Sequence, residues 1–177
     1  MRLANTDETP YRFEKNRKKS LVRDVRCPNG ITFSMDERWF YQADSIKCTN
    51  TRYEYDASIG RISNPSIFYQ GNEAEGVPNG ISLDIEDHVW VAFWGGSFVY
   101  RLDPHVSSVL EIPIPTKQPS SVIFYGSDPS YLYITSAAEN AIDIGMGLDK
   151  NGRFLGGHVY RYRTPFKGRQ ECLADFD

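Results

Sequence analysis

Short segments in which apolar and polar residues alternate recur along the chain and predict β-strands. The alternation is clear at residues 51–56 and 98–103, which end in matching aspartates. Two more apolar runs, at 39–44 and 89–94, lie between polar turns and have the length of buried strands. Aromatic residues are frequent, and long helix-forming stretches are missing. We therefore predict an all-β chain of many short strands joined by turns.

The strands belong to an internal repeat. Pro-Asn-Gly-Ile at 28–31 recurs at 78–81, and a weaker copy starts at Pro119. Each copy continues through a polar turn, a buried strand, an alternating strand and a further extended segment. A period of roughly 40–50 residues with four strands is typical of a β-propeller blade. Because one such sheet cannot bury both faces alone, we expect the copies to stack around an axis.

The repeat predicts that residues 1–177 form a single, incomplete β-propeller domain. We predict blades at 28–77, 78–118 and 119–177, the last with an inserted loop at 137–156. Residues 1–27 read as the outer strands of a preceding blade, at 11–14 and 21–25. Three blades do not close, because propellers typically have about four to eight. Either the chain is a fragment, or it closes by association with another copy.

The amino-acid composition limits the classes of partner that we expect for this chain. The chain has 20 Lys+Arg against 23 Asp+Glu, a net charge of −3, so no face is built for nucleic acid. No apolar run approaches the roughly 18 residues of a membrane span, and the N-terminus has no signal-peptide core. We expect no nucleic-acid or membrane partner and a cytoplasmic location. The three cysteines are odd in number and far apart, so neither a zinc site nor a disulfide framework is indicated.

Several segments of the repeat resemble one family, that of gluconolactonases, regucalcin (senescence marker protein) and luciferin-regenerating enzyme. The similar segments run in family order from about residue 20 to 163. The resemblance implies a six-bladed β-propeller, of which this chain matches the second half. The expected fold is therefore a partial six-bladed β-propeller with about three four-stranded blades and a remnant. The segments that carry the resemblance are 28–37, 41–45, 53–56, 60–64, 77–81, 89–96, 99–104 and 132–136.

The resemblance also implies a metal site. In that family one divalent cation lies at one end of the central channel, held by a Glu of the first blade, an Asn and an Asp. The Asn position matches Asn29, and the Asp position matches Asn79. The Glu has no counterpart in this chain. The resemblance leaves the ion open among Ca²⁺, Zn²⁺, Mg²⁺ and Mn²⁺, and oxygen ligands of this kind suit Ca²⁺ or Mg²⁺. Such a cation can polarise a lactone carbonyl and orient water.

Asn79 stands at the catalytic position of the family but changes its chemistry. An amide oxygen can coordinate a cation, yet it carries no charge and is not a usable base. Loss of a general base commonly costs about 10²–10⁴ in rate. Two further residues are candidates for substrate binding: Trp94, as a pocket wall, and Asp44, which follows an inner strand. Blade packing for Trp94 and bracing of a turn for Asp44 are the competing interpretations.

Three hypotheses about function follow. The first is a metal-dependent hydrolase of sugar lactones or related cyclic esters, impaired because Asn79 replaces the Asp and the first half is absent. Its partner would be a small-molecule lactone or ester. The second is a non-catalytic propeller that serves as a ligand-binding or interaction scaffold. The third is a truncated gene product. Under all three, open blade faces favour self-association.

Overall fold

Short antiparallel strands build the whole of the described structure. It is a computed structural model and describes residues 11–14, 17–107, 109–138, 153 and 155–169. In these ranges there is one 3₁₀ turn, Glu73–Glu75, and no helix long and apolar enough to cross a membrane. The strands are β1 Tyr11–Glu14, β2 Arg17–Ser20, β3 Pro28–Phe33, β4 Trp39–Asp44, β5 Thr49–Asp56, β6 Arg61–Gln70, β7 Val77–Leu83, β8 Val89–Trp94, β9 Phe98–Leu102, β10 Val109–Pro113, β11 Pro119–Phe124, β12 Tyr131–Ser136 and β13 Val159–Arg163.

The strands form sheets in sequence order, as propeller blades do. The first blade is β3-β4-β5-β6, the second is β7-β8-β9-β10, and the third is β11-β12-β13; β1 and β2 form a separate pair. The all-β partial propeller predicted from the sequence is thereby confirmed. The third blade has three strands in the described part of the chain, where the repeat predicts four. Most of the predicted insertion at 137–156 lies outside the described residues.

The repeat is visible in the backbone of the inner strands. β3, β7 and β11 each have a proline as the first or second residue and each contain an irregularity directly after it, between Pro28 and Ile31, Pro78 and Ile81, and Pro119 and Ser121. Such a bulge bends the strand and redirects the side chains at that point. The three inner strands therefore carry this irregularity at the same point of the repeat.

The turns repeat as well. Glu37 and Asp87 occupy matching turns of the first two blades with φ of 55° and 60°, and Cys48 and Ser97 do so one turn later with φ of 54° and 66°. A left-handed conformation is uncommon for residues other than glycine. Its recurrence shows that corresponding turns of the two blades place a left-handed residue at the same point, although their turn sequences differ.

Adjacent blades pack through the inner strands. A Cβ on Gly30 would lie 2.7 Å from the Asn79 carbonyl oxygen, and one on Gly80 would lie 2.6 Å from Ser121 Cα. No side chain fits at these two positions, which explains why glycine follows each asparagine. The blade interfaces are apolar: Tyr41, Leu83, Val91 and Phe93 lie between the first and second blades, and Trp90, Val122, Phe124 and Ile134 between the second and third.

One strand prediction is wrong. Residues 21–25 were expected to form the second strand of the remnant, but that strand is β2, Arg17–Ser20. Val22 and Val25 are buried against Phe40 and Tyr53 of the first blade. Asp24 has φ of 60°, which interrupts an extended backbone. The apolar pattern of this segment therefore reflects burial on a neighbouring sheet and not a strand.

Candidate functional site

The three prolines near the start of the inner strands lie at the same end of the blades, which we call the proline end. The residues after them are Asn29, Asn79 and Ser120. Since Gly30 approaches the Asn79 backbone and Gly80 approaches Ser121, the three bulges are in contact in chain order. The two candidate metal ligands of the sequence analysis are thus brought together in neighbouring turns. Asn29 is exposed and Asn79 is half-buried.

A serine orients Asn29. Asn29 Nδ2 donates to Ser45 Oγ at 3.2 Å, and Ser45 Oγ donates to the Pro78 carbonyl at 2.7 Å. The chain of hydrogen bonds joins the Asn29 turn of the first blade to the Asn79 turn of the second. With its nitrogen engaged in this way, the Asn29 amide presents Oδ1 as its remaining polar atom.

Ser120 is the third-blade equivalent of the two asparagines. Its hydroxyl lies 2.8 Å from the Thr135 hydroxyl, on an exposed part of β11 and β12. Neither Ser120 nor Ser45 was among the site residues proposed from the sequence. The repeat held a signal for Ser120, which follows Pro119 as Asn29 follows Pro28. For Ser45 there was none, because its contact joins two blades.

Asp44 is buried at the end of β4, and its carboxylate is used locally. Oδ2 accepts a hydrogen bond from Arg26 N at 2.8 Å, and Oδ1 accepts from Cys27 N at 3.0 Å and Lys47 N at 3.2 Å. Carboxylates that accept several backbone N–H bonds are held firmly in place. This geometry favours the bracing interpretation of Asp44 over contact with a substrate.

Trp94 ends β8 at the proline end, where it pairs with Val77 next to the Asn79 turn. Its side chain is half-buried. The following Gly95 has φ of 87° and donates from its N–H to the Lys117 carbonyl at 2.7 Å, which fixes the chain as it leaves the strand. Trp94 is therefore close enough in the fold to serve as a wall of a site at this end.

The oxygens at the proline end fit a hard cation in part. Amide and hydroxyl oxygens of Asn29, Asn79 and Ser120 are suitable donors, but Ca²⁺ takes about 6–8 oxygens and binds tightly through carboxylates. Asp44, the carboxylate at the end of the adjoining strand, already accepts three backbone hydrogen bonds. These residues can thus form one side of a metal site, and the negative charge has to come from elsewhere.

A second group of potential ligands lies at the other end of the second blade. Ligand atoms of Asp84, Glu86 and His88 lie within 4.8 Å of one another. Asp84 is five residues beyond Asn79 along the inner strand, which at roughly 3.3 Å per residue separates the two groups by about 16 Å. None of these three residues was predicted as a ligand from the sequence.

Arg101 forms ion pairs with both carboxylates of this second group. Its Nε donates to Asp84 Oδ2 at 2.7 Å, and its Nη2 pairs with Glu86 Oε2 at 2.5 Å. Trp90 Nε1 also donates to Asp84 Oδ2, at 2.9 Å. Since both carboxylates face a guanidinium, a cation here would have to displace a buried ion pair. We therefore assign the group to the structure of the blade.

The fold and the proline end define a class: a β-propeller with a polar site where the inner strands begin. Comparison with known proteins makes the class specific. A model of the SMP-30/Gluconolactonase/LRE-like region matches residues 3–138. The chain belongs to this family, as the resemblance in the repeat implied.

Named relatives agree with this assignment. Regucalcin of Bos taurus is 35% identical over 141 residues, which cover 79% of this chain and 45% of the bovine protein. Pentonolactonase XacC of Haloferax volcanii is 30% identical over 151 residues, which cover 85% of this chain and 52% of the archaeal protein. The chain therefore spans about half the length of the curated relatives it matches.

A solved structure shows the same relation. The regucalcin of Agrobacterium tumefaciens, described as a calcium-binding protein, superposes with a TM-score of 0.82 at 29% identity. The superposition covers 94% of this chain and 55% of the Agrobacterium chain. Nearly all of this chain thus corresponds to about half of a solved regucalcin structure.

Proposed function

We propose that this chain contributes to a metal-dependent hydrolase of sugar lactones or related cyclic esters. The observation that carries the proposal is the contact between the Asn29 and Asn79 turns at the proline end, where Gly30 meets the Asn79 backbone. A family that includes gluconolactonases, and a relative named for pentonolactone hydrolysis, support the substrate class.

Each residue has a definite task in this proposal. Asn29 offers Oδ1 to the cation, and Ser45 keeps the amide in that orientation through its bond to the Pro78 carbonyl. Asn79 offers a second neutral oxygen from the next blade. Trp94 forms a wall beside the Asn79 turn. A bound divalent cation supplies the polarisation of the lactone carbonyl and the orientation of water.

Asn79 limits the rate. An amide cannot take a proton from water. At the position of the family Asp, this chain would therefore offer no base to a water molecule bound beside the cation. We expect turnover about 10²–10⁴-fold below that of a carboxylate at the same place. Calcium is the ion we favour, because the donors are all hard oxygens.

The test compares this chain with Asn79→Asp and Asn29→Ala in the hydrolysis of a gluconolactone and a pentonolactone, with and without Ca²⁺. Asn72→Asp is the matched control, because it adds the same charge on an exposed residue that already caps the 3₁₀ turn through its side-chain oxygen. We expect Asn79→Asp to raise Ca²⁺-dependent hydrolysis and Asn72→Asp to leave it unchanged. Hydrolysis that is insensitive to Asn29→Ala or to chelation of the metal contradicts the proposal.

The amide at position 79 also favours a second candidate, a propeller that binds a ligand without hydrolysing it. This function needs the same oxygens but no base. It predicts that the chain binds a sugar lactone or its open acid, measured by calorimetry, and that Asn79→Asp produces no turnover. Binding lost in Asn29→Ala, with no hydrolysis in any variant, would select this candidate over the hydrolase.

A further inference from the structure

Asn79 is followed by a glycine that the packing of the second blade on the third requires. A Cβ on Gly80 would lie 2.4 Å from Ser121 Oγ and 2.6 Å from Ser121 Cα, so no larger residue fits there. Because glycine has no side chain, it leaves the peptide nitrogen after an asparagine unshielded. The fold therefore requires, at position 80, the residue type that leaves the Asn79 side chain most open to attack by the next peptide nitrogen.

Asn79 and Gly80 also lie outside the regular pairing of β7. The register pairs Pro78 with Phe93 and resumes at Ile81, so these two residues form the bulge of the strand. A bulge disrupts the ladder locally, and its backbone is less constrained than that of a regularly paired strand. Asn79 is half-buried at the proline end, where water reaches its side chain. The site therefore combines a reactive dipeptide, an irregular backbone and access to water.

The chain contains an internal comparison at Asn29. The same tetrapeptide, Pro-Asn-Gly-Ile, occupies the corresponding bulge of β3. Asn29 Nδ2 donates to Ser45 Oγ at 3.2 Å, and Ser45 is held in turn by the Pro78 carbonyl. The Asn79 amide donates to no residue of the described ranges. The two asparagines thus share their sequence and their place in the repeat, and differ in whether the amide nitrogen is held.

From these contacts we propose that Asn79 is a deamidation site, at which the neutral amide is replaced by an aspartate carboxylate. Asparagine is among the chemically labile residues of proteins. The Gly80 peptide nitrogen loses its proton to solvent and bonds to Asn79 Cγ. The Cγ–Nδ2 bond breaks, and Nδ2 takes up a proton and leaves as ammonia. Water then adds to Cγ of the cyclic imide, the bond between Cγ and the Gly80 nitrogen breaks, and that nitrogen regains its proton. One water is consumed and one ammonia is released, and nothing is oxidised or reduced.

The product carries a negative charge that the side chains of Asn29, Asn79 and Ser120 do not supply. A carboxylate at position 79 attracts a divalent cation and can accept a proton from water. This consequence rests on the proposed function, whereas the covalent step does not. A freshly made chain therefore holds the amide, and an aged chain holds an increasing fraction of the carboxylate.

The covalent step is tested by incubating the freshly purified chain at neutral pH in heavy-oxygen water and mapping the label by peptide mass spectrometry. Since Asn29 must first break its hydrogen bond to Ser45, we expect label at position 79 to appear about fivefold faster than at position 29. In urea the two rates should become equal, because the tetrapeptide is the same. Ser45→Ala should remove the difference in the folded chain by freeing Asn29.

Absence of label at position 79 in the folded chain overturns the inference, and so does label that appears equally fast or faster at position 29. A product that is entirely the isoaspartyl isomer, identified by fragmentation, also overturns it.

Calcium titration of fresh and aged chain is the second readout, with Asn79→Gln as the matched control, because its longer side chain cannot close the same ring. We expect ageing to tighten Ca²⁺ binding in the native chain and not in Asn79→Gln. Label at position 79 without tighter Ca²⁺ binding supports the deamidation site and contradicts the proposed metal site instead.

Discussion

Replacement of Asp84 by Asn tests whether the second ligand group is structural. The Asp84 side chain is fully buried and accepts four hydrogen bonds with two oxygens. Oδ1 accepts from the backbone N–H groups of Glu86 and His88, and Oδ2 accepts from Trp90 Nε1 and Arg101 Nε. Asn has one acceptor oxygen, so it can satisfy only one of these two pairs of donors.

The expected loss of stability follows from the groups that lose their partner, above all Arg101. Arg101 is 8% exposed, and removal of one partner of a buried ion pair costs about 3–5 kcal/mol. Because Glu86 still contacts the guanidinium at the surface, we expect the lower limit, about 3 kcal/mol. In a chain of this length each kcal/mol shifts Tm by about 2–4 °C, so Asp84→Asn should lower Tm by about 6–12 °C.

Urea unfolding and thermal melts followed by circular dichroism, with and without EDTA, are the assay. Asp36→Asn is the control, because Asp36 lies in the matching turn of the first blade, is exposed, and accepts from Ser34 Oγ and Arg38 N with one oxygen that Asn retains. We expect the control to change stability by less than about 0.5 kcal/mol. A structural role for Asp84 is refuted if Asp84→Asn leaves Tm unchanged, or if EDTA destabilises the native chain and Asp84→Asn removes that sensitivity.

Three further predictions concern the proline end and the pH dependence of stability. Asn79→Asp should tighten Ca²⁺ binding about 30-fold by calorimetry relative to Asn72→Asp, since a carboxylate about 4 Å from a divalent ion gains about 2 kcal/mol even at the dielectric constant of water; equal affinities would contradict this. Ser45→Ala should weaken Ca²⁺ binding about fivefold by freeing the Asn29 amide, and Ser45→Thr should restore it. Burial, with smaller contributions from neighbouring groups, raises the pKa of Tyr100 to about 12. Because the folded state holds this proton more tightly, its contribution to stability is complete below about pH 10 and is lost toward about pH 12. Thermal melts across this range should show a smaller alkaline loss in Tyr100→Phe.

Much of the fold could be predicted from the sequence because the repeat contains proline and glycine, the two residue types with the most distinctive backbone conformations. A proline marks the start of each inner strand to within one residue, and in β3 and β7 a glycine allows the close approach that follows it. These two residue types placed β3 and β7 correctly, and Pro119 placed β11. The alternation of apolar and polar residues then identified β5 and β9, whose successive side chains point to opposite faces of the blade. Their observed limits differ from the predicted ones by only one or two residues.

The misses have a common physical cause. Residues 21–25 have apolar side chains because they cover Phe40 and Tyr53 of another sheet, and a periodic pattern does not distinguish such a cover from a strand. Ser45 and Arg101 act through partners that are distant in the sequence, in another blade or on another strand. Side-chain contacts of this kind depend on tertiary geometry, which local patterns do not encode.

The two ends of the inner strands differ in a way that bears on function. At the far end, Arg169 Nη1 donates to the Phe33 carbonyl at 2.8 Å and Ile85 N donates to the Lys167 carbonyl at 2.9 Å, so residues 164–169 tie the first two blades together beside the Asp84 network. At the proline end, the side chains of Asn29, Asn79 and Ser120 are neutral and partly exposed, and Ser45 joins the Asn29 and Asn79 turns. Substitution of these three side chains therefore costs little folding free energy, whereas substitution in the Asp84 network costs much. A chain built in this way can accept either Asn or Asp at position 79 and keep its blades intact, so activity and binding measurements on Asn79→Asp compare the two proposed functions without a change of fold.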